Sequence, residues 1–479
     1  MRRTVAALAL AAAIPIGACA RNPVTGQREL ALISEEQEVA MGQQAAAEVE
    51  ASLGLVEDAD LQRYVQEVGA VLAAGSQRPN LPWRFRVVED ATPNAFALPG
   101  GFIYVTRGMM NLMENEAELA SVLGHEIGHV TARHTVQQMS RSQLAQLGLG
   151  LGAIFSPTVA EYGDLIAGGL QLLFLKYGRD DERQSDDLGF QYALAAGYDV
   201  REMDDVFATL ARIGEASGRS SVPAWASTHP DPGERVQTAQ QRAAAIDRPE
   251  RLRLDRAEFL GHLDGLVYGD DPRAGFFDQG RFVHPELRFS LAFPQGWRAQ
   301  NTPQAVVAVS PQQDAAIQLT IAQAQSPQAA AQQFLSQQGI QAGQAFSESV
   351  NGVPAVASYF AAATQQGTIE GMVAFFGYNG RTYQVLGYAP QGRFAQHDRT
   401  IRGVMGSFAP LTDPALLNVQ PDRIRIVQLT APTTIAALAQ RYPSSAGADQ
   451  LALLNQVPDA SSTLPAGTAA KVVVRGSVP

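Results

Sequence analysis

The sequence predicts a multidomain chain in three parts. A mainly α-helical α+β domain spans residues 34–250, an α+β sandwich spans 281–412, and a small βααβ module spans 421–475. Three observations predict this. The 479 residues exceed what one ordinary core buries. The stretch His125-Glu126-Ile127-Gly128-His129 lies inside a helical apolar pattern. After the polar stretch Tyr268-Gly269-Asp270-Asp271-Pro272, short alternating β-type runs dominate, interrupted by two helical ones.

Composition narrows the function classes. With 46% apolar and 17% charged residues the chain is that of a soluble globular protein, and a net charge of −11 without a basic cluster argues against a nucleic-acid partner. Lysine occurs only at 176 and 471, a bias that a GC-rich genome explains.

The N-terminus is a targeting segment. Arg2 and Arg3 form a positive region, and Thr4 to Ile16 form an apolar run too short for a comfortable membrane span. Small residues then precede Cys19, as in a bacterial lipobox. Residues 1–18 are expected to be a lipoprotein signal peptide, with a diacylglycerol on the Cys19 thiol. Cys19 is the one cysteine, which excludes intrachain disulfides and a thiolate zinc site. Ala20, where an aspartate would signal inner-membrane retention, points to the outer membrane of a Gram-negative bacterium, facing the periplasm. The plain alternative is an ordinary secretory signal with an accidental cysteine.

Residues 19–33 read as a polar tether. Ser34 opens a helix with Gln37 at the reciprocal capping position. Leu61, Tyr64, Val65, Val68 and Leu72 give a second helix, about Asp60 to Ala74, an apolar face closed by Gly75. Trp83, Phe85 and Val87 alternate as in a half-buried strand. Asn94, Ala95, Phe96 and Ala97 then lead through Pro99-Gly100-Gly101 into Phe102 to Val105, two short strands around a glycine turn. An edge strand beside a metal helix holds an extended peptide by main-chain hydrogen bonds, so Asn94–Ala97 are candidate substrate-strand residues. A plain hairpin fits the pattern equally well.

Asn115 caps the next helix, with Glu118 reciprocal. Leu119, Val122, Leu123 and Ile127 give it an apolar side, so His125 and His129, one turn apart, share a face and can share a metal ion. Glu126 adjoins them as a candidate general base toward metal-bound water. His134 fails as a third ligand: at 100° per residue it lies about 140° around the helix from His129, and it reads as a packing or surface histidine. The apolar runs Leu144 to Phe155 and Leu165 to Leu175 read as a buried helical hairpin or a lid, with contact to lipid or to an unfolded client as the sharper alternative.

Glu182 and Asp186, four apart on a further helix, share a face. An arbitrary acidic pair is usually a solvated face. Here a carboxylate from a second helix would complete a His2Glu zinc site with one position open for water, and Asp186 would orient a ligand from behind. His229, on a loop before a helix, is a candidate to stabilise an oxyanion or to fill the fourth zinc position.

These motifs, in this order, resemble one family. HEIGH, the ExxxD of Glu182 to Asp186, the HPxxxxR of His229 to Arg235 and the preceding NAFALPGGFIYVTRG are similar to the gluzincin zinc metallopeptidases of the HtpX/BepA type. RNPVTGQREL and SEEQEVAMGQQ resemble its periplasmic lipoprotein branch. The resemblance covers residues 19 to about 247. It implies a zincin-like fold, one zinc ion on His125, His129 and Glu182, Glu126 as base, Asp186 in support of a ligand and His229 near the metal. The sequence shows neither the transmembrane spans nor the tetratricopeptide pattern of some members.

Residues 251–280 read as a linker with one helix. The α+β order of 281–412 resembles the PsbP/Mog-one-like sandwich and carries no chemical motif. The tail 421–475 resembles a degenerate LysM module, with peptidoglycan as candidate ligand and a structural cap as the plain reading. The whole points to a zinc endopeptidase of the cell envelope acting on unfolded or misassembled envelope proteins. The alternatives are an envelope chaperone or assembly scaffold with a self-blocked zinc site, or a peptidoglycan-binding protein.

Overall fold

The computed structural model describes residues 19–30, 32–146, 177–216, 229, 232–244, 246, 251–364 and 367–476. The signal segment 1–18 and nearly all of the apolar stretch 144–175 lie outside the described residues. The chain forms two compact units. The first takes residues up to Leu266 together with Arg425–Ala439 and Gly447–Val472; the second takes Val267–Ile424 with Gln440–Ala446 and the last residues.

The first unit begins with a short antiparallel pair, β1 (Cys19–Arg21) and β2 (Arg28–Leu30). This segment, expected as a free tether, is docked. The Asn22 amide donates to the Ala132 carbonyl, and the Leu32 amide donates to Ser140 Oγ. Helix α1 (Glu35–Leu53) starts at a Ser34–Gln37 capping box. Helix α2 (Ala59–Ala74) buries Leu61, Tyr64, Val65, Val68 and Leu72 along one side. A three-stranded sheet follows, in the order β3 (Arg84–Val88), β5 (Phe102–Thr106), β4 (Ala95–Leu98). β3 runs parallel and β4 antiparallel to β5, so β4 is an edge.

Helix α3 (Arg107–Leu112) leads into α4 (Glu116–Thr131), whose Asn115 cap accepts from the Glu118 amide. Every residue of α4 is buried, so this helix is the axis of the unit. Its C-terminal end is fixed by charge: Glu38 on α1 receives Arg78 and Arg133, and Arg78 also donates to the Val130 carbonyl. Arg133 has φ 60°, so the chain leaves α4 in a left-handed turn before α5 (His134–Gln146) begins.

Further helices are Arg179–Ala195, Glu202–Ala216, Pro232–Ala243 and Arg256–Leu263. The helix Glu202–Ala216 was not anticipated, although Met203, Val206, Phe207 and Leu210 carry the i, i+3, i+4, i+7 spacing and are buried. The expected linker needs correction as well. Phe259, Leu260 and Leu263 are buried, so residues 251–266 belong to the first unit's core because they present an apolar helix face to it.

The second unit is built on an eight-stranded antiparallel sheet and a smaller four-stranded one. In Gly367–Tyr378, Val373 and Phe375 pack with helix Pro327–Leu335, while Met372, Ala374 and Phe376 pack with helix Phe394–Met405. Alternate residues point to opposite faces, so a sheet covered on both sides yields a nearly continuous apolar run. His284 is a pH-sensitive point here. Burial, and Arg381 nearby, push its pKa down to about 4, and its Nδ1 accepts from the Leu287 amide. The unfolded chain therefore takes up this proton first on acidification. The unit is expected to lose about 3 kcal/mol as pH falls from 6.5 to about 4. Urea unfolding followed by Trp297 fluorescence, with Trp83 and Trp225 changed to Phe, measures this. A His284→Asn chain with the same pH slope refutes the assignment.

In the tail, strands Arg423–Gln428 and Ala469–Val474 pair, helices Ile435–Arg441 and Ala448–Leu454 lie between them in sequence, and a second short pair, Thr433–Thr434 with Thr463–Leu464, adds to the expected βααβ order. Lys471 is fully buried within the first unit. Its ammonium donates to the carbonyls of Asn111, Leu112 and Met113, 2.9–3.2 Å away, and lies 3.1 Å from a Glu114 oxygen. The Gln456 amide donates to the Leu112 carbonyl and to Glu118.

Candidate metal centre

The site is built where α4 meets the helix Arg179–Ala195. Glycines set the distance between them. A Cβ at Gly189 would lie 2.7 Å from the His125 nitrogen, and one at Gly128 would lie 2.9 Å from Ser185 Cα. Backbone-to-backbone approach at this seam lets the short side chain of Glu182 reach the two histidines.

His125, His129, Glu182 and His229 each offer a donor atom to one small volume, and all four are buried. His125 Nε2 is 3.0 Å from His129 Nε2 and 3.2 Å from His229 Nδ1. Glu182 oxygens stand 3.0 Å from His229 Nδ1, 3.5 Å from His129 Nε2 and 3.6 Å from His125 Nε2. Donors on a tetrahedral zinc ion at 2.0–2.1 Å lie about 3.3 Å apart. The residues present thus fit zinc in both chemistry and spacing, with His229 in the fourth corner.

Behind His125, Asp186 Oδ1 is 2.9 Å from Nδ1. Arg235 grips Asp186 with two hydrogen bonds of 2.8 and 2.6 Å, lies 3.1 Å from Glu182 and stacks over Phe207. Burial by itself would raise the Asp186 carboxyl, but Arg235 and His125 outweigh it and hold it far below the usual range. Burial keeps His129 well below its ordinary pKa, hence neutral, as a metal ligand must be. For His229 burial acts in the same direction, yet Glu182 and Glu126 reverse it and raise the pKa.

Glu126 is 1% exposed, and neither of its oxygens has a hydrogen-bond partner among the described residues. Burial raises its pKa. His229 Nε2 lies 3.7 Å from it. An unsatisfied buried carboxylate beside four metal donors is costly unless something occupies the space between them.

His134, expected in packing or at the surface and not as a ligand, is buried and lies outside the donor set, but it also has polar partners. It is 2% exposed, with Nδ1 3.0 Å from His129 Nδ1 and Nε2 2.9 Å from Gln184 Oε1. The 100° angle from His129 does not apply to it, because α4 ends at Thr131 and Arg133 then turns the chain left-handed. Tyr177, also missed, stacks on His129 at 3.8 Å between ring centres and bonds Thr135 through its hydroxyl. Asn94 precedes the edge strand β4, and Ala95, Phe96 and Ala97 lie on it; all three are buried. Cys19 lies on β1, apart from the donor cluster.

Residues 59–243 match the model of peptidase family M48. The chain is similar to that family over this stretch, its M48 domain. The chain is 32% identical over 230 residues to a beta-barrel assembly-enhancing protease of Yersinia pestis, covering 46% of this chain and 47% of that protein. It is 28% identical over 253 residues to the protein of that name from Escherichia coli K12, covering 50% and 51%. The mitochondrial metalloendopeptidase OMA1 of Schizosaccharomyces pombe is 29% identical over 230 residues, covering 46% and 65%. The chain spans about half the length of most of these relatives. Among solved structures, a cyanobacterial PsbP from Synechocystis is similar at 14% identity and a TM-score of 0.23, over 27% of this chain and 91% of that one.

Proposed function

We propose that the chain is a zinc-dependent endopeptidase of the bacterial cell envelope that hydrolyses unfolded or misassembled envelope proteins. One observation carries the reading: four buried donors spaced as zinc ligands beside the Glu126 carboxylate, which accepts no hydrogen bond among the described residues. His125, His129 and Glu182 are the proposed ligands of one zinc ion. When bound, the ion supplies Lewis acidity toward a scissile carbonyl and lowers the pKa of water to about 7.

The chain's own residues do the rest. Glu126, with its raised proton affinity, takes a proton from water and returns it to the leaving amine. Asp186, clamped by Arg235, holds His125 with Nδ1 protonated. His229, once turned off the donor cluster, donates to the developing oxyanion. The edge strand β4 pairs with the main chain of an extended substrate, with Asn94, Ala95, Phe96 and Ala97 as its subsite. The lipobox-like segment supports lipidation of Cys19, anchorage in the outer membrane and a periplasmic site of action. Relatives named beta-barrel assembly-enhancing protease support an envelope setting. The M48 domain is proposed to be zincin-like and the tail LysM-like. The buried Lys471 and the half-buried Gln456 favour a structural cap over a glycan-binding module.

A second reading has one observation in its favour. His229 sits in the fourth corner of the donor set, so the state described is self-blocked and fits an envelope chaperone or scaffold with a latent site. Metal content and casein digestion of the chain from Arg21, wild type beside Glu126→Gln, decide between them. The enzyme reading expects one zinc in both and a rate about two to four orders of magnitude lower in the variant. Equal digestion removes Glu126 as base. Zinc in both without digestion in either supports the latent reading.

A further inference from the structure

We propose that His134 is a positioning residue for the metal centre: with Gln184 it fixes the tautomer and plane of His129. The inference rests on the reading of His129 as a zinc ligand and goes beyond it.

The argument follows the protons. His129 turns Nε2 toward the other three donor residues, 3.0 Å from His125 Nε2 and 3.5 Å from Glu182. A ligand nitrogen needs its lone pair, so the ring proton of His129 belongs on Nδ1. That N–H needs an acceptor in a buried site, and His134 Nδ1 lies 3.0 Å away. Accepting there places the His134 proton on Nε2, which lies 2.9 Å from the Gln184 side-chain oxygen. Each donor in this chain meets an acceptor, and Nε2 of His129 is left free for the metal. Ser185 Oγ, 3.4 Å from His134 Nδ1, adds a second contact from the same helix.

The two histidine ligands are therefore backed differently. His125 leans on a carboxylate held by Arg235. His129 leans on a neutral imidazole that ends in an amide. An anionic partner makes a ligand more basic, whereas a neutral one orients it with little added charge. The left-handed turn at Arg133 folds His134 back under His129, and Tyr177 covers the His129 ring face. Because Gln184 stands two residues after Glu182, the relay also ties the third ligand's helix to α4.

The test is zinc affinity by chelator competition, with the melting temperature of the metal-free chain measured in parallel. His134→Phe keeps the bulk and removes the acceptor, so zinc should bind about 10–100-fold more weakly. His134→Asn places a carbonyl oxygen where Nδ1 stood and should restore most of that loss. A phenylalanine variant with wild-type affinity overturns the proposal. So does an asparagine variant that loses as much as phenylalanine while the metal-free melting temperatures fall together, since that is packing alone. If the variants do not fold, nitrogen NMR of the zinc-loaded wild type decides: a coupling across the His129 N–H···N His134 hydrogen bond supports the relay, and its absence overturns it. A wild-type chain that takes up no zinc fails the metal reading itself, and this proposal with it.

Discussion

Replacing Gly189 with alanine is expected to weaken zinc binding about 100-fold and to cost the M48 domain roughly 1–3 kcal/mol. The added methyl carbon would sit 2.7 Å from the His125 nitrogen, 2.9 Å from the Gly124 carbonyl carbon and 3.1 Å from His125 Cα. These are backbone atoms at the middle of a fully buried helix, so no side chain can swing aside. The helices must part, and Glu182 moves with its helix. Its oxygens already stand 3.5 and 3.6 Å from the histidine nitrogens, and a further gap breaks the tetrahedral spacing. Gly261, a helical glycine whose Cβ would meet nothing within 4 Å, is the control. Gly261→Ala should leave zinc binding alone and stabilise by about 0.5–1 kcal/mol. Chelator competition and thermal melts on both variants check this. Wild-type zinc affinity in Gly189→Ala refutes the close-seam account.

Lys471→Met should destabilise the same unit by about 3–5 kcal/mol, although residue 471 is far along the chain from the metal motif. The ammonium satisfies three carbonyls at the end of α3 and faces Glu114, with Glu118 close by. Removing it leaves buried carboxylates beside Arg256, which bonds Glu114, among the described residues. Burial already raises Glu118 well above the usual carboxyl range, so that group has little tolerance for further loss of positive charge. Urea unfolding of the M48 domain, followed by loss of casein digestion or of bound zinc, measures the change. A midpoint equal to wild type would mean that the tail is an independent appendage.

The metal motif was legible because its chemistry is written in spacing. His125 and His129 one turn apart, and Glu182 four residues before Asp186, sit on helices whose apolar sides are clear in the sequence. What lay between helices was less legible. The contact between His134 and His129 was hidden because a left-handed residue, Arg133, interrupts the helical angle, and arginine gives no sign of that conformation. Gly124, Gly128 and Gly189 read as neutral or unfavourable helix residues until the seam they line is seen. The burial of Lys471 left no mark in the sequence, because a lysine is almost never fully buried unless paired, and its partners lie on a distant stretch. Within the second unit the strands at 306–309 and 316–322 carry apolar runs that are plain in the sequence, while the short edge strands 298–301, 340–342 and 346–350 carry too few apolar positions to be read.

The docked N-terminal hairpin bears on where this protein can work. Asn22 is fastened to the Ala132 carbonyl, at the very end of the helix that carries the metal motif. Three residues of extended chain reach only about 10 Å. A lipid on Cys19 would therefore not set the M48 domain on a long leash. It would press one end of the catalytic helix close to the bilayer, so that the centre samples a shallow shell of space next to the lipid headgroups. Proteins stalled at the membrane surface would fall inside that shell, and freely diffusing ones would have to come to it.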